Sequence, residues 1–560
     1  MEYKLKEIFS GRVLHYYIFL GLLALFTYIY IINAWVTDDA YITFRTIDNF
    51  IHGYGLTWNI QERVQVYSNP LWMFFISAFY AFTSEAFYTT IIVSFLLCIL
   101  TFIVMCRFFL KGNENHYWKP SFFVLTLIAS KAFIDYTSSG LENPLSYLLT
   151  ILFCGIYIIR NKDFNRNNIF ILVFIASLAF VNRADIIIIF LPAIVHAVWM
   201  GTKRYNWRVM SIVLYGFLPA ILWLLFSMIY YGFPFPNSAY AKAFVNGIDF
   251  IDKLKRGIRY YRNSVFWDTL SHFVLLGSIV LSIRKKWSRS LMILSGVIIY
   301  IGYVVLVAAS ATHMSGRFFA LPFFIACLLL TYHLDNVKIA RYASVIIVIF
   351  LFVHPLSSIK MGTTFYRMPE LFGTIPIDAK WYAYQEGAAL LNYRPGKSLP
   401  DHAWYHEGER FRKNPVRVHL GGASESGFGE AIGYFGYAAG PEKFIIDYVG
   451  LGDPLLARLP VSNPVMWRPG HFYRVVPDGY IESVKEGRNL IKDRGLHLYY
   501  EKLLTITRGP LFTLQRFGDI VQMNLGGYKY LLETYTAEAK AKYMNQDYRE
   551  ILRRMSGPIQ

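Results

Sequence analysis

Apolar runs of membrane length recur along the first two thirds of the chain, separated by short polar stretches. A spanning helix needs ~20 predominantly apolar residues, with ~17 a practical minimum. Leu14–Ala34, Tyr88–Leu110, Val209–Tyr231, Leu291–Ala309 and Phe318–Leu334 meet that length. Pro120–Ile134, Pro144–Ile159, Ile169–Val181, Asp185–Met200, Leu270–Ile283 and Ala343–His354 are shorter and need flanking residues to cross. Asn69–Phe82 also falls below the minimum. The pattern predicts a polytopic α-helical membrane protein. Leu14–Ala34 is too long for a signal-peptide core and lacks a small-residue cleavage site, so it is expected to remain as a span.

Charge sets the expected topology. With Asn69–Phe82 lying in the outer interface, Arg12, Arg107–Lys119, Arg160–Arg166, Lys203–Arg208, Arg284–Arg289 and Lys338–Arg341 all fall on the side of the N-terminus. Counting that run as a span would put most of these clusters outside. The positive-inside rule therefore gives about eleven spans, N-terminus in and C-terminus out. Lys131, near the outer end of its run, is the awkward charge and is expected to snorkel. On the opposite face converge Asp38–Asp39, the loop at Glu142, the turn Arg183–Asp185, the PFPNSAYAK loop, HMSGR at His313–Arg317 and everything after Pro355.

Residues 356–560 contain no membrane-length run. Val416–Leu420 and Lys443–Asp447 read as strands, SESGFGEAIGYFGYAAG between them as turn-rich, and Thr536–Met555 as an exposed helix. The expected division is a transmembrane part, 1–355, with an outer loop at 35–87, followed by an extracytoplasmic mixed α/β domain, 356–560.

Composition fits this picture. The chain has 560 residues, 55% hydrophobic and 16% charged, with a mean hydropathy of +0.36. An aromatic share of 18% suits long membrane interfaces, where Tyr and Trp anchor. The net charge of +18 is largely spent on the orienting clusters, and no basic, aromatic-interleaved module points to nucleic acid. All four cysteines lie in apolar runs, which leaves no disulfide framework or Cys-based zinc site for the loops. GFGEAIG lacks the G-x-G-x-x-G spacing of a dinucleotide loop.

Asp38 and Asp39 follow the first span, where an ionised pair is costly unless it lies at the membrane–water boundary or lines a cavity. One can act as a general base on a hydroxyl while the other orients it or binds a cation, since adjacent like charges raise one pKa. The alternative is that one of them caps the helix beginning AYITF. Lys242, Arg317, His313 and Arg183 are candidate ligands for an anionic group at the membrane boundary, such as a lipid-carrier phosphate. Arg183 has the alternative of a structural ion pair with Asp185. Tyr41, Arg45, Tyr67 and Glu142 are the candidate sugar- or acceptor-binding positions, Glu142 alternatively capping the next span. Asp38, Asp39 and Glu142 could also hold a divalent cation, although no ligand spacing demands one. Acids and cations of this kind fit group transfer from a lipid-phosphate donor, in which the polyprenyl phosphate leaves with its charge stabilised by Lys or Arg. A transporter or flippase would show inverted repeats and midplane ionisable residues, and neither is visible.

The segment DDAYITFRTIDNFIHGYGLTWNIQERVQVYSNPLWMF resembles the first outer loop of the bacterial terminal arabinofuranosyltransferases of the GT-C superfamily. The resemblance continues through ENPL, YYGFPFPNSAYAK, HMSGRFF, IDYVGLGDPLLARLP and WRPGHFYRVVPDGY. It implies a GT-C-like fold, transfer from a polyprenylphosphoryl arabinose with inversion, Asp38 as general base supported by Asp39, and Lys242, His313 and Arg317 close to the donor phosphate. It also implies a tail that helps hold a saccharide acceptor. Those relatives are Ala- and Arg-rich, whereas this chain is rich in Ile, Lys, Tyr and Phe, which points to a Gram-negative background. The acceptor there is a surface glycan or a protein such as pilin, and a related scaffold could instead transfer aminoarabinose or mannose to lipid A or protein. The expected location is the bacterial inner membrane. Reporter fusions at Lys162 and after Pro355 should report opposite sides of the membrane; reports from the same side would break this topology.

Overall fold

The computed structural model describes residues 11–110, 117–160, 164–243, 250–308, 316–361, 378, 380, 385–423, 431–461 and 472–543. It divides into two compact units, each assembled from separated stretches of chain. The first comprises Met1–Thr37, Glu85–Ala220 and Leu254–Asp401, and the second Asp38–Ser84, Ile221–Lys253 and His402–Gln560. These units cut the chain differently from a division at Pro355.

Among the described residues of the first unit, four helical runs are long and apolar enough to cross a membrane: Val13–Asn33, Phe87–Leu110, Ala184–Gly216 and Ser288–Val307. Phe87–Leu110, at 24 residues, measures about 36 Å, more than a hydrocarbon core requires. The bent pair Phe250–Trp267 and Thr269–Arg284 would bring the count to five. Trp118–Ile128, Asn143–Ile158, Arg166–Asn182, Leu218–Tyr230 and Arg317–His333 are apolar but shorter. By length and composition, the described residues thus hold four or five full spans, and the shorter apolar helices would have to cross as well to reach the about eleven that charge patterning asks for.

Polar side chains account for some of the shortening. The expected run Pro120–Ile134 is cut into the helices Trp118–Ile128 and Lys131–Thr137. At the break, the Ser130 hydroxyl accepts the Phe133 N–H at 3.1 Å and donates to Asp268 at 2.6 Å, a side-chain cap that starts a new helix. Asn206 takes a φ of 53° and ends the helix Ile187–Tyr205 beside the Lys203–Arg208 cluster, within the long run Ala184–Gly216.

Lys131 does not snorkel. It is 2% exposed and is held by Asp135 of its own helix and by Asp378 at 2.6 Å. Asp135 also takes Lys380 at 2.7 Å, so two lysines and two aspartates neutralise one another out of water. Removing an ion from water costs several kcal/mol, and only such pairing makes the position tenable.

The second unit draws the outer loop after the first span together with the C-terminal stretch. Its short parallel pair joins Val418–Leu420 to Phe444–Ile446, in agreement with the two predicted strands. The stretch expected to be turn-rich is only partly described, and from Gly433 to Ala439 it is a helix. This helix packs on Asp38–Ile51 and on Ala403–Lys413. A core of Phe233, Phe444, Ile446, Leu455, Leu496 and Leu503 joins the two stretches other than the outer loop; Trp58, Val64 and Val66 of that loop pack with Phe435 and Ile445. Of the predicted helix Thr536–Met555, the described part continues a helix Glu533–Tyr543; residues 544–560 lie outside the described residues.

Breaking the buried lysine–aspartate network should be severe. Lys131→Met strands Asp135 and Asp378 with Lys380 as their remaining lysine, and thermal unfolding in detergent should show a loss of about 3–5 kcal/mol or no folded protein.

Candidate functional site

The second unit holds the acid pair. Asp38 and Asp39 open the helix Asp38–Ile51, where negative charge meets the positive end of the helix dipole. Asp38 does not spend its carboxylate on its own helix. Its Oδ2 accepts the Gly433 N–H at 3.1 Å and its Oδ1 the Tyr434 N–H at 2.7 Å, so it receives the first turn of the helix Gly433–Ala439. A close approach permits this. A Cβ on Gly433 would stand 1.9 Å from the Asp38 carbonyl oxygen, and one on Gly436 would stand 2.9 Å from the Trp58 ring. The two glycines, three residues apart, form the flat side on which the helices meet.

Asp38 is 5% exposed, while Asp39 is half-buried. Burial lifts the Asp38 carboxyl and the neighbouring Asp39 charge adds to the rise; the two backbone N–H donors oppose it, leaving a pKa of about 7. A carboxyl in that range is suited to take up a proton near neutrality.

The remaining candidates of this unit turn out differently. Arg45 is 2% exposed and donates to the carbonyls of Trp58 at 2.8 Å, Gly436 at 2.6 Å and Lys443 at 2.6 Å, with its guanidinium 4.5 Å from the Trp58 ring. These contacts tie the outer loop to the C-terminal stretch. Tyr67, 1% exposed, shares a 2.8 Å hydrogen bond with Tyr231 and is likewise a packing residue. Tyr41, also 1% exposed, packs its ring edge-on to Tyr434 at 4.8 Å and Tyr437 at 5.1 Å. It reaches no open rim; it forms the wall behind the helix that contacts Asp38.

Lys242 is exposed on the short helix Asn237–Ala243, and its support was not evident from its residue type. Asn237 donates to the carbonyls of Gly450, Leu451 and Asp453 at 2.9, 3.2 and 3.0 Å. Arg458 donates to the Asn237 Oδ1 at 3.1 Å and lies over the rings of Phe233 and Tyr240. Arg474 donates to the Ala241 carbonyl at 2.6 Å. The motifs PNSAYAK, GDPLLAR and FYRVV are thus one assembly, in which buried polar side chains satisfy backbone carbonyls. Asp453 belongs to it: its carboxyl accepts the Leu455 and Leu456 N–H groups and the Tyr480 hydroxyl.

The first unit holds Glu142, Arg183 and Arg317. Arg183 forks onto Asp185 at 2.7 and 3.0 Å and donates to Glu142 at 2.7 Å, with Arg317 3.8 Å from the same Glu142 oxygen. Both guanidinium groups lie over Phe318. Burial alone would raise the Glu142 carboxyl, but Arg183 and Arg317 outweigh it and hold the pKa at about 2. Glu142, 2% exposed, is therefore the centre of an ion-pair cluster and not an open sugar contact. Arg183 takes up the structural pairing with Asp185. His313 lies outside the described residues. Among the described residues, no three His, Cys, Asp or Glu side chains group as metal ligands.

No family model matches the chain, and no solved structure matches it. The chain is similar to the terminal beta-(1->2)-arabinofuranosyltransferase of Mycobacterium tuberculosis. Identity is 24% over 272 residues, or 45% of this chain and 42% of the mycobacterial enzyme. The match thus spans less than half the length of that relative. The arabinofuranosyltransferase bears the name of the group to which the motif run pointed.

Gly433→Ala should drive the helix Gly433–Ala439 off Asp38, because the new methyl overlaps the Asp38 backbone. Overpacking of this kind costs about 1–3 kcal/mol, which thermal unfolding in detergent would read. Unchanged stability would mean that the helices separate freely.

Proposed function

We propose that the chain is an integral-membrane, inverting glycosyltransferase that moves an arabinofuranosyl residue from a polyprenyl-phosphate donor to an extracytoplasmic glycan or protein. The observation that carries this reading is Asp38, a buried carboxyl raised to about 7 beside the half-buried Asp39, in a chain similar to a terminal arabinofuranosyltransferase. In the proposed reaction the Asp38 carboxylate accepts the proton of the acceptor hydroxyl as that oxygen attacks the anomeric carbon. The bond from that carbon to the phosphate oxygen breaks, and the polyprenyl phosphate departs as an anion. The leaving-group charge needs a cation, and the exposed Lys242 of the same unit is the proposed one. Its helix is fixed by Asn237 and Arg474, so little ordering is left for the moment of reaction. The proposed site faces the outside of a bacterial inner membrane, where a lipid-linked sugar needs no nucleotide site.

The test uses the purified full chain, synthetic polyprenylphosphoryl arabinose, and glycan and protein acceptors. Asp38→Asn should lower turnover by about a hundredfold to ten-thousandfold while a melting curve reports retained fold. In the unsubstituted protein, kcat/KM should rise with pH through about 7, as Asp38 loses its proton. Full turnover by Asp38→Asn would remove the base assignment. The same shift has an opposite sign for folding. Asp38 binds its proton more tightly folded than unfolded, so its contribution to stability is present below about pH 4 and is lost as the pH rises through about 7.

A further inference from the structure

We infer that the helix Phe250–Trp267 is a membrane-surface helix that holds anionic phospholipid headgroups along one edge and rests its other edge in the acyl boundary. It carries five basic residues and one acid, Asp252, yet Phe250, Ile251, Ile258 and Phe266 are also exposed.

The inner face of the helix is fixed. Gly257, Tyr260, Asn263, Ser264 and Trp267 are buried. Tyr260 stacks on Phe319 with ring centroids 5.6 Å apart, and a Cβ on Gly257 would stand 1.8 Å from the Val305 carbonyl oxygen. With that face seated, the helical period divides the rest into two edges. Ile251, Leu254, Ile258, Tyr261 and Val265 fall along one; Lys255, Arg259 and Arg262 fall along the other, with Phe266 among them, while Arg256 lies at the rim of the buried face.

A second observation is the corner that follows. The helix turns by 102° into the apolar helix Thr269–Arg284. If that helix runs along the membrane normal, Phe250–Trp267 lies close to the membrane plane. The corner is fastened by Asp268, whose carboxylate accepts the Ser271 N–H at 3.2 Å, the Ala132 N–H at 2.8 Å and the Ser130 hydroxyl at 2.6 Å. A helix with a basic edge, an apolar edge and low overall hydrophobicity lies in the interface and does not insert. Its cations gain from an anionic leaflet surface. A dissolved phosphate would leave the apolar edge unexplained, so the partner is the bilayer surface. The inference rests on membrane location and not on the transferase reading.

The full chain, with Cys106→Ser and Ile258→Cys, is labelled with an environment-sensitive fluorophore and placed in nanodiscs of phosphatidylcholine alone or with phosphatidylglycerol. Brominated lipid should quench the label more than aqueous iodide does. Phosphatidylglycerol should be enriched around the protein, and Lys255→Gln, Arg259→Gln and Arg262→Gln together should reduce that enrichment by about tenfold or more. A label at 258 quenched mainly by iodide overturns the inference. Equal behaviour in the two lipids also overturns it. A matched label at Arg259, on the basic edge, should be more open to iodide than the label at Ile258, even where the triple variant folds poorly.

Discussion

A charge removed from water is several kcal/mol out of balance until it finds a partner, and much of this structure is a set of answers to that cost. In the first unit the answer is charge against charge. Lys131 and Lys380 meet Asp135 and Asp378, and Arg183 is shared between Glu142 and Asp185. In the second unit the answer is more often charge against backbone. Arg45 satisfies three carbonyls, Arg516 satisfies those of Ile506, Ile229 and Tyr230, and Asp38 takes two N–H groups. Backbone groups carry no net charge, so these contacts fix position without neutralising the ion.

That difference has a consequence for chemistry. An acid paired with guanidinium groups, as Glu142 is, stays ionised far below neutrality and has little affinity for a proton. An acid held only by N–H groups, and buried beside a second acid, keeps both a defined orientation and an appetite for protons near neutral pH. Asp38 combines the two because Gly433 and Gly436 let a helix from the C-terminal stretch come within contact of the outer-loop helix. The placement of this carboxyl thus depends on two missing side chains nearly four hundred residues away in sequence.

Much of the fold was legible from periodicity, and the site less so. Long apolar runs such as Phe87–Leu110 reveal themselves because a helix surrounded by hydrocarbon or core is apolar on every side. The strands Val418–Leu420 and Phe444–Ile446 were readable from their β-branched and aromatic residues. IGYFGYAAG read as turns because glycine weakens a helix in isolation, whereas here its spacing serves close packing. Arg45, Tyr67 and Glu142 looked like ligand contacts because residue type cannot tell an open donor from one already satisfied. Only the folded chain shows that Arg45 faces three carbonyls. The division of the chain was hidden for a similar reason: the outer loop and the C-terminal stretch meet through contacts between residues far apart in sequence.

A raised carboxyl pKa does not by itself mark a base. Asp453 is also lifted by burial, with Glu62 adding to the rise, to about 7, but its carboxyl accepts two N–H groups and the Tyr480 hydroxyl within a turn that supports Asn237. No half-buried acid stands next to it in sequence: its neighbours are Gly452 and Pro454, both buried. Asp38 differs in its neighbour. Asp39 keeps part of its surface toward solvent while Asp38 keeps almost none. Orientation by backbone, elevation by burial and a half-buried acid next in sequence meet at Asp38, and of these two acids raised to about 7 it is the one to which the proposed base role is given.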